Sequence, residues 1–145
     1  KLKLPIPMRI VVAYSGVPSD TAKAVAGVRE RKEQFKRKYD QIFEEANALV
    51  NEAKAALESG NWERVGELMN RNHRLLQEIE VSCEVLDRMV GLARSAGALG
   101  AKLTGGGLGG CVVALTPDEE LQERVAQKFG EAGYRAVRAL VGGST

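Results

Sequence analysis

Residues 101–111 hold the side chains and backbone best suited to chemistry, in the order Ala-Lys-Leu-Thr-Gly-Gly-Gly-Leu-Gly-Gly-Cys. Five of the six residues from 105 to 110 are glycine, and Lys102 and Thr104 come just before them. Glycine loses more conformational entropy on folding than any other residue, so this density indicates a backbone that bends sharply or approaches another group closely. Successive N–H groups in such loops form concave anion sites. Phosphate is the leading candidate ligand, and a glycine hairpin without a ligand is the alternative.

A second candidate site lies near the start of the chain. Residues 15–21 read Ser-Gly-Val-Pro-Ser-Asp-Thr and follow an apolar, β-branched run over residues 8–15 that predicts a buried strand. Ser19 or Asp20 then supplies the N-cap of a helix. Free N–H groups at a helix start suit an anionic substrate, which makes Ser15, Gly16, Ser19 and Thr21 candidate contacts. The alternative is an ordinary turn from strand to helix.

Apolar residues at a spacing of three and four predict the helices that separate these two sites. One helix ends near Arg31, a longer one covers residues 35–57, and a third covers residues 62–79. Ser82 is predicted to cap a fourth helix. Short strands are predicted at residues 98–103 and 111–115 on either side of the glycine loop.

After these strands, residues 116–119 have the composition of a capping box with Pro117 at the first helical position. A fifth helix follows, residues 134–141 form a last strand, and residues 142–145 form a polar tail. The order of elements predicts an α+β fold with a ferredoxin-like split βαβ sheet, whose first crossover is enlarged into a helical bundle. Helices are expected on one face of the sheet, and residues 1–145 are expected to form a single domain.

The glycine loop joins the second and third strands, where a two-residue turn would suffice. No Gly-Lys-Ser/Thr follows it and a strand comes next, so it is not a Walker P-loop. Lys102 either pairs with phosphate or lies on the solvent side of a strand, and Thr104 either donates to phosphate or fixes the turn. The other predicted phosphate-loop residues are Gly105, Gly106, Gly107, Gly109 and Gly110.

Composition excludes several classes of function. The net charge is +2, from 21 basic and 19 acidic residues, and this balance argues against nucleic acid and membrane partners. Cys83 and Cys111 are too few and too far apart for a zinc site or a disulfide framework. They are expected to be buried thiols in a reducing cytoplasm. A single histidine, His73, cannot build a multi-histidine site, so no metal ligands are assigned.

Residues 101–111 closely resemble the third signature of the GHMP small-molecule kinases, Lys-Leu-Thr-Gly-Ala-Gly-Gly-Gly-Gly-Cys. Gly106 takes the place of the usual Ala and Leu108 that of a usual Gly. Residues 15–21, followed by Val-Ala-Gly-Val-Arg, resemble a segment of the mevalonate kinases within that family, with Ser19 where Arg often stands. Residues 69–76 also resemble this branch. The resemblance extends in order over nearly the whole chain.

The resemblance implies the C-terminal lobe of a kinase that transfers phosphate from ATP, with Mg²⁺, to the primary hydroxyl of mevalonate. It places the glycine loop near the nucleotide phosphates and Thr21 beside the substrate. The catalytic Asp, a substrate-facing Lys and the ATP loop of the family belong to an N-terminal lobe that the chain lacks. No catalytic residue is therefore assigned here, and the chain alone is expected to be inactive.

Two other interpretations stay open. A different GHMP kinase would act on phosphomevalonate, homoserine or a sugar. A non-enzymatic, ferredoxin-like interaction module would use the glycine loop only as a turn. The partners expected on the first interpretation are the missing N-terminal lobe and the small-molecule substrate, and a homodimer also stays open.

Overall fold

The computed structural model describes residues 7–142, in which four strands and five helices follow one another in the predicted order. The elements are β1 (Met8–Tyr14), α1 (Thr21–Gln34), α2 (Lys36–Ser59), α3 (Trp62–Glu78), α4 (Glu84–Ser95), β2 (Gly100–Thr104), β3 (Cys111–Thr116), α5 (Glu119–Glu131) and β4 (Arg135–Val141). Of the predicted tail, residues 143–145 lie outside this range. No helix within residues 7–142 is long and apolar enough to cross a membrane.

The four strands form one antiparallel sheet in the order β2-β3-β1-β4. This is the strand order of the split βαβ fold, with α1 to α4 inserted between β1 and β2. The predicted α+β fold with an enlarged first crossover is therefore confirmed. The glycine loop connects β2 to β3 at the same end of the sheet where β1 leads into α1.

One face of the sheet carries the larger core. Val11 and Ala13 alternate inward along β1 and are fully buried, together with Leu86 of α4 and Phe129 of α5. Burying a side chain of this size contributes roughly 1.5–3 kcal/mol. Alternation with a period of two is the ordinary geometry of a β-strand, and β1 agrees with the buried strand predicted from the apolar run at residues 8–15.

Helices also cover part of the other face of the sheet, whereas the sequence predicted helices on one face only. Ile10 and Leu115 point away from the larger core and pack instead against the apolar faces of α2 and α3. The α2–α3 pair reaches this face because α3 crosses β2 at Gly66 and Gly100. A Cβ at Gly100 would collide with the backbone of Gly66, so the two glycines permit the close crossing.

Two predicted helix starts are wrong. The N-cap of α5 is Asp118, whose carboxylate accepts from the Leu121 amide at 2.8 Å, so Pro117 lies outside the helix and the proposed capping box does not form. At α4 the N-cap position is Cys83, and Ser82 donates instead to the Asp87 carboxylate at 2.6 Å. At α1, Asp20 is the cap and accepts from Lys23 N–H at 3.0 Å.

Candidate active site

The glycine loop packs directly on the segment that connects β1 to α1. Ser15 N–H donates to the Gly110 carbonyl at 2.9 Å, and Gly110 N–H donates to the Val17 carbonyl at 2.7 Å. A third bond, 3.2 Å long, joins Asp20 N–H to the Gly107 carbonyl. The two segments singled out in the sequence therefore form one structural unit.

Side chains of the β1–α1 segment fill the space beside the loop glycines, which carry no side chains of their own. A Cβ added at Gly106 would collide with Thr21 Oγ1, and a Cβ added at Gly110 would collide with Ser19 Oγ. Ser19 Oγ also lies 3.8 Å from the position of a Cβ at Gly105. The hydroxyls of Ser19 and Thr21 therefore pack against the loop backbone.

Unused N–H groups from both segments meet at this point. The first four N–H groups of a helix have no partner inside the helix, and Asp20 engages those of Lys23 and Ala24. Among the described residues, no hydrogen bond engages the amides of Thr21, Ala22, Gly105 or Gly106. Converging N–H groups and the positive end of a helix dipole are the features of an anion-binding site.

A pocket of about 500 Å³ opens beside these amides, between α1, α3 and the loop. Gly105 and Gly106 form its wall at the amide end, and Val25 and Val28 of α1 form an apolar wall. Arg29 and Lys32 supply two cations, and the Lys32 ammonium lies 5.2 Å from the centre of the Phe43 ring. The pocket can accommodate a small anionic molecule with an apolar part.

Of the other predicted site residues, Lys102 lies apart from this cluster, whereas Thr104 and Gly16 adjoin it in the chain. Lys102 is half-buried in β2 and lines a different groove, against α2 and α3. Thr104 is exposed at the end of β2, paired with Cys111. Gly16 is exposed with a φ of 84°, and a Cβ there would meet no atom within 4 Å.

The turn between α3 and α4 supports the loop from behind, a contact that no local sequence pattern predicts. The Leu108 amide donates to the Val81 carbonyl at 2.7 Å, and a Cβ at Gly107 would come within 2.7 Å of the same oxygen. Leu108 has a φ of 58°, in the left-handed region that favours glycine. The neighbouring Glu80 has a φ of 62°.

A buried histidine fixes the strand that leads into the loop. His73 Nδ1 accepts from Leu103 N–H at 3.1 Å, so Nε2 carries the proton and donates to Asp87 at 2.9 Å. Burial lowers the pKa of His73 despite that carboxylate. Burial also opposes ionisation of Asp87, yet its hydrogen bonds outweigh this and lower the pKa of its carboxyl group. These contacts give His73 a structural role.

The described residues offer few metal ligands. Within residues 7–142, no group of three or more His, Cys, Asp or Glu side chains is placed to hold a metal ion. Cys83 and Cys111, expected to be buried, are free thiols that are only partly buried. The backbone amides of Thr21 and the loop, together with the Thr21 hydroxyl, suit a phosphate rather than a cation.

The same arrangement of strands and helices is known from other proteins. The sequence pattern of the family described as GHMP kinases C terminal matches residues 53–135, more than half of the chain. The chain therefore belongs to the GHMP kinases, through their C-terminal domain.

Mevalonate kinases are among its curated relatives. The protein from Pyrococcus furiosus is 43% identical over 129 residues, which is 86% of this chain and 38% of that protein. The mevalonate kinase of Pyrococcus abyssi is 41% identical over the same coverage. The chain therefore spans well under half the length of the relatives it matches.

Solved structures agree with this assignment. The L. major mevalonate kinase in complex with R-mevalonate superposes with a TM-score of 0.93 at 33% identity, over 99% of this chain and 45% of that one. A Methanococcus jannaschii mevalonate kinase gives a TM-score of 0.77 at 29% identity, over 94% of this chain and 40% of that one. The Streptococcus pneumoniae phosphomevalonate kinase, at 16% identity and a TM-score of 0.83, shows the same fold alone.

Proposed function

We propose that residues 1–145 form the C-terminal lobe of an ATP-dependent mevalonate kinase, which transfers the γ-phosphoryl group of ATP to the primary hydroxyl of mevalonate. The observation that carries the proposal is the contact between Gly106 and Thr21, which joins the glycine loop and the β1–α1 segment into one site. Phosphoryl transfer depends mainly on positioning and electrostatic stabilisation. Backbone amides and hydroxyl groups can provide both effects.

In this proposal the chain binds the phosphate and orients the acceptor, and the lobe that precedes it supplies the proton-transfer group. The amides of Gly105, Gly106 and Ala22 bind phosphate oxygens. The Thr21 hydroxyl positions the acceptor beside the phosphate. Mg²⁺ would neutralise phosphate charge during transfer, with its ligands supplied by the preceding lobe.

An exposed apolar area supports docking of that lobe. Tyr14, Val137 and Val141 are 41%, 60% and 38% exposed. The register pairs Val12 with Val137 and Tyr14 with Arg135, so these side chains share the outer face of β1 and β4. Cys111, at the end of the glycine loop, pairs with Tyr14 on the same face. An apolar surface beside the loop is typical of an interface.

A coupled assay for ADP release tests the proposal. The chain alone and the chain joined to the preceding lobe are each mixed with ATP, Mg²⁺ and mevalonate. We expect turnover only in the joined protein, since the isolated chain lacks the rest of the active site. Phosphomevalonate, homoserine and galactose serve as control acceptors.

Each outcome has a distinct meaning. Turnover by the isolated chain would contradict the division of labour between two lobes. Faster turnover of a control acceptor than of mevalonate would contradict the proposed substrate but would still support kinase activity. A joined protein that is folded by circular dichroism but releases no ADP with any acceptor would overturn the proposed activity.

A further inference from the structure

A second cavity lies on the opposite side of the sheet from the larger core and takes no part in the proposed transfer. It is a groove of about 470 Å³ between the outer face of the sheet and the α2–α3 pair. Met8, Ile10 and Val113 line it from the sheet, and Leu49 and Met69 are among the residues that line it from the helices. Its volume lies within the range of small-molecule sites, roughly 300–1,000 Å³.

Two polar side chains face this otherwise apolar groove. They are Lys102 of β2 and Asn72 of α3. Among residues 7–142, neither the Lys102 ammonium nor the Asn72 amide takes part in a hydrogen bond or an ion pair within the chain, whereas the neighbouring Asn70 binds Arg94 and the Ala101 amide. A cation and an amide donor therefore converge on apolar walls with no acidic partner.

The electrostatic setting of Lys102 favours an anion. Burial lowers the pKa of its ammonium, which means that the charged form is partly desolvated and not compensated by a carboxylate. A bound anion would restore the lost stabilisation, and hydrogen bonds to charged groups are stronger than neutral ones. The groove is therefore complementary to a molecule with an apolar body and one anionic end.

We propose that the groove between α2, α3 and the outer sheet face binds a medium-chain carboxylate, with its head group on Lys102 and Asn72 and its alkyl chain along Met8, Ile10 and Leu49. The docking face argued above and the groove lie on the same face of the sheet and meet at β1. The docking face extends from β1 to β4, whereas the groove extends from β1 across β3 to Lys102 of β2. The inference does not rest on the proposed kinase activity, because binding is measured without nucleotide or mevalonate.

Sodium decanoate is the test ligand, and decanol and decylammonium are its neutral and cationic counterparts. Trp62 is the only tryptophan of the chain and packs on the cluster between α2 and α3, so its emission reports occupancy. We expect decanoate to bind about tenfold more tightly than decanol, and decylammonium more weakly still. Shortening the ligand to octanoate should weaken binding by about tenfold, since two buried methylenes are lost.

Substitutions locate the site. Lys102→Met keeps the length and apolar stem of the side chain but removes the charge, so it should erase the preference for decanoate over decanol. Lys32→Met is the matched control, because it removes an ammonium from the other apolar pocket, beside the glycine loop. That variant should bind decanoate as the parent chain does. Amide chemical-shift changes should map to α2, α3 and β2.

Several results would overturn the proposal. They are equal affinity for the anionic and cationic ligands, an unchanged preference in Lys102→Met, and shifts that map to α1 and the glycine loop. Binding by this chain that disappears in the joined protein would show instead that the preceding lobe covers the groove. None of these readouts depends on phosphoryl transfer, so failure here and failure of the proposed kinase are distinguishable.

Discussion

The amide of Leu108 donates to the carbonyl oxygen of Val81 at 2.7 Å, which ties the glycine loop to the turn between α3 and α4. That turn is held in place by Arg31, whose guanidinium donates to the Ile79 carbonyl at 2.7 Å and lies 3.3 Å from the Glu80 carboxylate. A continuous set of contacts therefore leads from the body of α1 to the back of the loop. The loop is a supported structure and not a free turn.

At position 108, a glycine variant should be at least as stable as an alanine variant, which is the reverse of the usual order of stability. Leu108 is half-buried against the larger core, so Leu108→Ala should lower the free energy of unfolding by about 1 kcal/mol. A residue with a Cβ in the left-handed region costs roughly 1–2 kcal/mol. Leu108→Gly removes this cost, which offsets glycine's larger loss of backbone entropy.

Urea denaturation of the two variants and the parent chain checks this. We expect Leu108→Gly to be at least as stable as Leu108→Ala. A glycine variant that is less stable than the alanine variant by about 1 kcal/mol, the usual difference in ordinary backbone, would show that the left-handed conformation of Leu108 carries no cost.

The order of elements could be predicted from the sequence because local patterns and global packing agree. Val11 and Ala13 are buried, as the apolar run of β1 predicts, and Gly60 ends α2 in the left-handed conformation, with a φ of 72°. The proximity of the two candidate segments followed from strand order, since β1 and β3 are neighbours. The contact of Thr21 with the loop depends on this strand pairing and was not predicted from the sequence.

The structure that covers Lys102 could not be predicted from the sequence. Alternation assigns Lys102 to the face opposite Ala101 and Leu103, but it does not say what covers that face. The α2–α3 pair reaches it through the crossing of Gly66 and Gly100, a contact that depends on tertiary packing. The start of α5 was missed for a different reason: Thr116 and Asp118 are both good capping residues, and local sequence does not choose between them.

The crossing of α3 over β2 should not tolerate a side chain at Gly66. An added Cβ would lie within 2.6 Å of the Leu99 carbonyl carbon and 2.8 Å of its Cβ. Because backbone must move to relieve this contact, Gly66→Ala should lower the free energy of unfolding by about 2–3 kcal/mol. Thermal or urea denaturation measures the loss.

Gly91→Ala is the matched control for that substitution. Gly91 also lies inside a helix, α4, but a Cβ there would meet no atom within 4 Å. This variant should gain about 0.5–1 kcal/mol, since alanine favours the helix and loses less entropy on folding. A similar effect of both substitutions would mean that the crossing is wider than the structure shows.

Stability should fall as the pH drops below the ordinary pKa of histidine. His73 is 2% exposed, and burial lowers its pKa from 6.5. Below pH 6.5 the unfolded chain therefore binds a proton that the folded chain does not, and the free energy of unfolding decreases with falling pH. The slope should approach about 1.4 kcal/mol per pH unit until the folded histidine is protonated.

Urea denaturation at intervals between pH 7 and pH 5 measures this slope. The chain has a single histidine, so His73→Gln should be less stable at pH 7 but should show a much flatter dependence on pH. The pKa of Asp87 is lowered from 3.8, so the pH dependence of stability that this carboxyl group causes lies below this window. An equal slope in the parent and in His73→Gln would assign the effect to groups other than this histidine.

Thr21 is the residue of this chain whose hydroxyl should affect turnover most strongly in the joined protein. Thr21→Val keeps the shape of the side chain and removes the hydroxyl that faces Gly106. The proposed function predicts a fall in kcat of about a hundredfold, the size of effect that misplacement of reacting groups produces. Thr21→Ser, which keeps the hydroxyl, should retain most of the activity.

Thr116→Val separates this effect from a loss of stability. The Thr116 hydroxyl is buried in β3 and donates to the Arg9 carbonyl at 3.0 Å, remote from the glycine loop. Its loss should cost about 1 kcal/mol of stability with kcat unchanged, because no site residue moves. If Thr21→Val and Thr116→Val reduced kcat alike, the hydroxyl of Thr21 would be structural and the acceptor would have to be positioned by another group.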